Sequence, residues 1–418
     1  MNLNKKIDIN FAICFLLIAT PFIDSINGIY IFMFNRELAI SPGQYIRIII
    51  ILFFIFFSIK KQKGFQLILI FLTFFLFQQA YLALRYYLNN KEFFNEALLF
   101  SKLLFMVSII ILLISNYSKL NSDKIINSLI NSAIIISIII IVTKIFNIGV
   151  PTYTYAGHKG FFIEQNAISN ILVSIIPFIL NKTFVYKRRS KNLLYYILLL
   201  SACFLIGTRV AIFGSLIVTV ICVFSLKVDK RYEKYKMMLV GVVLAMGIIF
   251  VNIFWQIYMD TIILRYKYFL ERLDLLSFIF SSRNVTLKIA ADKFFSDPMF
   301  IIMGTGLTKG ELVELDLFDV LFFQGLFVFI IISSILSYPV LKFRKLKNKG
   351  YCLISYLIIL ILLIVSGHVI YTPMSATYLG AIYALNYKFI KEYRKNYNYY
   401  RKDDNSMSFF ISENKQSD

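Results

Sequence analysis

The sequence predicts an all-α polytopic membrane protein with about 12 transmembrane helices, both termini cytoplasmic, and one long helical extracytoplasmic loop. Three observations predict it. Of 418 residues, 59% are hydrophobic and only 16% are charged, against roughly 25% charged in a soluble domain. The apolar residues come in runs of roughly 18 to 25, the length a helix needs to cross about 30 Å of hydrocarbon. The segments between runs alternate sharply in basic content. Disorder is excluded by the abundance of apolar residues.

Lys5 and Lys6 precede the first run, 11–33, which continues through Pro21 and Asp24 without a small-residue cleavage site. It reads as an uncleaved span and not a signal peptide. Runs at 43–59, 65–84, 97–115, 124–146 and 162–181 follow. A hairpin at 193–207 and 210–226 turns at Gly207-Thr208-Arg209, and further runs lie at 237–255, 315–341, 351–367 and 373–387. Basic clusters fall after the second, sixth, eighth and tenth runs: Lys60 to Lys63, Lys182 to Lys191, Lys227 to Lys236, and Lys342 to Lys349. With all twelve spans real, these clusters share one side with both termini, and the positive-inside rule makes that side cytoplasmic. Residues 1–405 then form a single membrane domain, with its long outer loop at about 256–311, and 406–418 a disordered cytoplasmic tail. The loop's patterning (Ile262, Leu264, Phe269 among Arg265, Lys267, Arg272) suits interfacial amphipathic helices.

The formal charge of +21 does not indicate nucleic acid, because the 44 Lys and Arg lie in short gaps and not on a soluble basic face. Cys14, Cys203, Cys222 and Cys352 stand singly in apolar segments, so neither a disulfide framework nor a zinc site is indicated.

Ionisable groups at membrane depth cost about 2.5 to 3.5 kcal/mol on insertion scales, so those in or beside spans are functional candidates. Arg209 is the only charge at the turn of the 193–226 hairpin; anion binding competes with a snorkelling helix-end arginine. Ser281-Ser282-Arg283-Asn284 reads as a capped helix start, and Lys288 lies one turn further. A cation there opposes the helix dipole unless an anion sits beside it, making Arg283 a second anion candidate. Glu314, Asp316 and Asp319 lead into an apolar run, Asp316 and Asp319 sharing a face at i, i+3. Two half-buried carboxylates suit general-base work, and the dipole at a helix N-terminus explains them equally well. His158, His368, Glu164 and Asn166 fall on the same side, where capping and structural roles compete with substrate contact.

These residues resemble the O-antigen polymerase and ligase membrane glycosyltransferases. The resemblance rests on four places: Gly160 to Asn166 entering a span; Gly207-Thr208-Arg209, similar to that family's Gly-Ser-Arg turn; Ser282-Arg283 running to Asp297-Pro298 and Gly304-Thr305-Gly306; and Glu314-Leu315-Asp316 through Asp319 to Gln324-Gly325. It implies a GT-C-like helical fold acting on undecaprenyl-diphosphate-linked oligosaccharides already flipped outward; the residues themselves show no acidic metal cage, so no metal or cofactor is expected. It assigns the lipid diphosphate to Arg209 and Arg283, and names a flippase and a chain-length regulator as partners besides membrane lipids. The ligases carry a His near the membrane end of the long loop, where this sequence has carboxylates, which favours polymerisation of repeat units over ligation.

The chemistry suits the residues. A departing diphosphate needs its charge met, and arginines supply permanent bidentate donors. The attacking sugar hydroxyl needs a base, for which Asp316 or Asp319, with Glu314 third, is available. Such a single displacement inverts the anomeric centre. A twelve-span flippase or transporter is the rival of another class, disfavoured because the buried charges sit at one face and no internal repeat is visible. A membrane acyltransferase would draw on His158 or His368.

Overall fold

The computed structural model describes residues 8–34, 42–59, 62–153, 157–185, 189–225, 241, 245, 283–342, 350–367 and 369–413. Its helices, in chain order, are α1 (Ile9–Phe34), α2 (Pro42–Ile59), α3 (Gln62–Tyr86), α4 (Asn90–Ser115), α5 (Ser122–Ile145), α6 (Gln165–Val185), α7 (Arg189–Ile206) and α8 (Ser215–Ser225). They continue with α9 (Arg283–Phe295), α10 (Pro298–Met303), α11 (Gly306–Lys309), α12 (Asp316–Lys342), α13 (Gly350–Val365) and α14 (Pro373–Glu413). A π-helical turn, Val210–Gly214, joins the Arg209 turn to α8.

Local chemistry starts several of these helices. Asn89 and Glu92 form a reciprocal capping box on α4. The Asn121 side chain accepts from the Lys124 N–H at the start of α5, and Asp297 caps α10 with Pro298 in its first turn.

Six helices are long and apolar enough to cross a membrane: Ile9–Phe32, Gly64–Tyr86, Asn90–Ser115, Ser122–Ile145, Gln165–Phe184 and Asp316–Lys342. Among the described residues this overturns the expected dozen, and with it the topology and the GT-C-like architecture attached to that count. The runs at 43–59, 193–207, 210–226 and 351–367 form shorter apolar helices, Gly43–Ile55, Ser190–Ile206, Val210–Ser225 and Gly350–Val365. These fall short of the roughly 20 residues that hydrocarbon thickness demands. The run at 373–387 opens a 41-residue helix whose Ser375, Thr377, Asn386 and Lys388 dilute its apolar character. That helix reaches into 406–418, the segment read as a tail. The run at 237–255 apart from Gly241 and Ala245, the interfacial patterning before Arg283, Ser281, Ser282 and His368 lie outside the described residues. The physical reason for the miscount is that charge clusters mark breaks between apolar runs, not the length of helix each run builds.

The bundle packs α14 along α4, α6 against α7 and α13, and α1 against α5. α6 is the most enclosed of the six. Small polar residues tie these helices where apolar packing alone has no preference. Ser355 Oγ donates to the Ser174 carbonyl at 2.6 Å, Tyr378 Oη to Ser132 Oγ at 2.5 Å, and Asn386 Nδ2 to the Cys352 carbonyl at 3.1 Å. Large apolar side chains, Phe11, Ile49, Leu76, Phe224, Leu341 and Ile361 among them, stay exposed on the outside. On a soluble protein so many would drive aggregation; around this bundle they face lipid. The chain is a multi-pass membrane protein.

One spanning helix is broken. Gly325, about 14 Å into α12, has φ 77° and ψ 173°, a region essentially reserved for glycine. The carbonyls freed there are met from two sides. Thr305 donates its N–H (2.7 Å) and hydroxyl (3.0 Å) to the Phe322 carbonyl. Gln78 Nε2 donates to the carbonyls of Phe323 (2.5 Å) and Met303 (2.6 Å). Irregular backbone at membrane depth survives only when buried protein satisfies it in this way. A Cβ on Gly325 would stand 2.2 Å from the Ile302 carbonyl oxygen. Gly325→Ala is therefore expected to cost about 2 to 5 kcal/mol, strain plus overpacking, read as a lowered unfolding temperature in detergent.

Candidate functional site

One end of the bundle gathers the C-termini of α1, α3, α5, α7 and α13 with the N-termini of α2, α4, α6, α12 and α14, and α9 to α11 lie across it. The loop before α6 is seated on α1 so closely that a Cβ on Gly28 would stand 1.6 Å from the Phe161 carbonyl oxygen. α10 is moored to α3 through Asp297, whose carboxylate meets Arg85 at 3.0 Å and Tyr81 Oη at 3.1 Å. The Met299 N–H, then Tyr81 and Arg85, hold the Asp297 carboxyl below its ordinary value.

Most of the residues singled out by sequence lie at this end. Thr208 Oγ1, beside Arg209, pairs with Ser169 Oγ at 2.7 Å and accepts from the Ala211 N–H at 3.1 Å. At the next residue of α6, Asn170 Nδ2 donates to the Gly367 carbonyl (3.1 Å) and Asn170 Oδ1 accepts from Ser366 Oγ (2.9 Å). Asn166 Nδ2 donates to the Ser366 carbonyl at 3.3 Å. The adjoining Val365 carbonyl accepts from Arg283 Nη1 at 2.9 Å. A continuous polar seam therefore runs from the Arg209 turn, across α6 and the end of α13, to Arg283. Arg209 is exposed at one end of it. Arg283, 15% exposed, holds Glu314 Oε2 at 2.8 Å. The anion that a cation at a helix N-terminus needs is here a carboxylate of the chain itself.

The three carboxylates divide. Asp316 Oδ2 accepts from the Val369 and Ile370 N–H groups at 2.6 and 2.7 Å, and Asp319 Oδ1 accepts from the Val313 N–H at 2.9 Å. Each is 1% exposed. Both carboxylates anchor backbone. Glu314 is the open one, with its side chain 45% exposed and its backbone at φ 62°, an uncommon conformation for a residue with a Cβ. Asp316→Ala strands two buried N–H groups and is expected to cost about 2 to 5 kcal/mol. Asp316→Asn retains an acceptor oxygen and is expected to keep most stability and turnover; thermal unfolding and activity of the two variants check this.

His158 is buried, its Nε2 2.9 Å from Thr143 Oγ1 and its N–H on the Leu205 carbonyl at 2.7 Å. Burial lowers its pKa, and its contacts pin the loop to α5 and α7. Lys288 is exposed on α9, and Glu164 is half-buried ahead of α6. Among the described residues no three His, Cys, Asp or Glu side chains converge as a metal cluster.

Sequence reasoning missed a second charged group. Arg47 on α2 interacts electrostatically with Asp24 on α1 and Lys102 on α4, and Lys102 with Glu164 and Asp316. The available signal was a lone charge inside each of three apolar runs.

Comparison with known proteins agrees with this setting. Residues 6–273 match the family described as O-antigen ligase like membrane protein, a stretch that includes Asp24, Arg47, Lys102, Glu164 and Arg209 and ends ahead of Arg283. No curated protein matches the chain. With well over half of its length matched, this multi-pass protein belongs to the O-antigen ligase like membrane protein family.

Proposed function

We propose that the protein is a glycosyltransferase that polymerises undecaprenyl-diphosphate-linked oligosaccharide repeat units at the outer face of the cytoplasmic membrane. The observation that carries the reading is the Arg283–Glu314 pair, a cation and an open carboxylate side by side at the end of a seam that begins at Arg209. Membership of a family of membrane proteins that handle glycans supports it. The outward assignment rests on Lys119, Lys182, Lys342 and Lys388, which lie at the opposite end of the bundle, where the positive-inside rule expects the cytoplasm.

In this scheme the diphosphate of the donor lies on Arg283, Arg209 and Lys288, whose permanent charges offset the charge developing on the leaving group. The diphosphate competes with Glu314 for Arg283, and the released carboxylate accepts the proton of the acceptor hydroxyl. The oxygen of that hydroxyl bonds to the anomeric carbon as the bond to the diphosphate breaks, with inversion. Asp316 and Asp319 hold the floor of the site. Glu164 and Asn166 border the same end, and His158 positions the loop that carries Glu164.

The test is reconstitution of the protein in vesicles with a purified lipid-linked repeat unit. Polymer that stays on the lipid diphosphate supports polymerisation. The family's description makes ligation the second reading, under which glycan appears, without growing in length, on a cell-surface acceptor added to the vesicles. Repeat units crossing the bilayer with neither product would sink both in favour of a flippase.

A further inference from the structure

We infer that Arg47 and Lys102 form an inner oxyanion-binding subsite, deeper in the same end of the bundle than Arg283, that takes a phosphate or carboxylate group of the substrate. Arg47 lies in the second turn of α2 and is only 8% exposed, yet its Nε and Nη1 have no hydrogen-bond partner. A buried guanidinium left with empty donors is costly, and the cost is recovered when a ligand supplies oxygens. Asp24 offsets the charge of Arg47 electrostatically but is itself held by the Ile163 N–H. Asp316 is likewise committed, to the Val369 and Ile370 N–H groups. Lys102, from α4, is a second basic side chain within electrostatic reach of Arg47. Two cations from different helices, one with open planar donors, match a tetrahedral phosphate or planar carboxylate better than they match each other. Asp24, which interacts electrostatically with Arg47, and Glu164, which interacts with Lys102, limit the excess positive charge and so restrict the subsite to a single oxyanion. Which substrate carries the oxyanion rests on the glycosyl-transfer reading: a phosphate of the lipid carrier, or the carboxylate of an acidic sugar in the acceptor.

The experiment measures binding to the full chain in lipid nanodiscs. Farnesyl diphosphate, with farnesol as control, probes the phosphate source. A glucuronate-containing oligosaccharide, with its neutral counterpart, probes the carboxylate source. Arg47→Gln and Lys102→Met are each expected to weaken one of the two anionic probes about ten-fold or more, leaving both neutral controls unchanged. Arg47→Lys keeps the charge and hence the fold, and is expected to show a smaller loss of the same probe. The probe that responds identifies the source. If Arg47→Lys and Lys102→Met unfold at the wild-type temperature and bind both anions as the wild type does, the five charges are a structural knot and the subsite is overturned. Loss of farnesyl diphosphate binding in Arg283→Ala alone, with binding of the glucuronate oligosaccharide unmoved by Arg47→Gln and Lys102→Met, also overturns it while sparing the proposed function. Weakened binding in Arg47→Gln, beside a wild type that forms no glycan product, leaves the subsite standing and removes the proposed function.

Discussion

Glu314→Gln is expected to lower the rate of chain growth about 100- to 10,000-fold, the range a general base supplies, while donor binding holds or tightens. The amide cannot take the proton of the attacking hydroxyl. It also grips Arg283 less firmly than the carboxylate seen 2.8 Å away, so the donor diphosphate meets less competition. The backbone at φ 62° is as strained with Gln as with Glu, which keeps the substitution from acting through the fold. Steady-state turnover with a purified lipid-linked repeat unit checks it, with KM for the donor measured separately. Unchanged turnover would remove Glu314 from the chemistry and return attention to Asp316 and Asp319.

Arg283→Ala is expected to reduce transfer by about 100- to 1,000-fold, the size of effect seen when a preorganised donor to a developing anion is lost. In cells, single repeat units should then accumulate on the outer face. Arg283→Lys should fall between, since the ammonium keeps the charge but not the planar donors that reach Val365 and Glu314 together. Unfolding temperature is the control, because the Ala variant also leaves the Val365 carbonyl without this donor. Transfer that survives in a folded Arg283→Ala protein would mean the diphosphate is held elsewhere.

How much of this was legible in the sequence varies residue by residue. The membrane class was, because 59% hydrophobic residues gathered in long runs admit little else. That Arg283, a cation at a helix start, needs an anion was legible too, but not that Glu314, across a loop, lies 2.8 Å from it. The ranking of the carboxylates was not. Spacing along one helix says that Asp316 and Asp319 share a face; it says nothing of the Val369, Ile370 and Val313 N–H groups that claim them. The span count was not, since charge clusters flank long and short helices alike. Asp24, Arg47 and Lys102 each passed as a single charge within its own apolar run.

By itself, the sequence determined that this chain lives in a bilayer, and that a charge within or beside its apolar runs needs a reason, because hydrocarbon penalises charge wherever the backbone places it. Only the tertiary structure decided which of those groups meet. The charges lie on or beside separate helices, α1, α2, α4, α6, α9 and α12, and whether they pair, anchor backbone or stay open depends on distances set by helix packing. Electrostatic and hydrogen-bond energies fall steeply over those few ångströms, so a residue's role at this end of the bundle is a property of its neighbours.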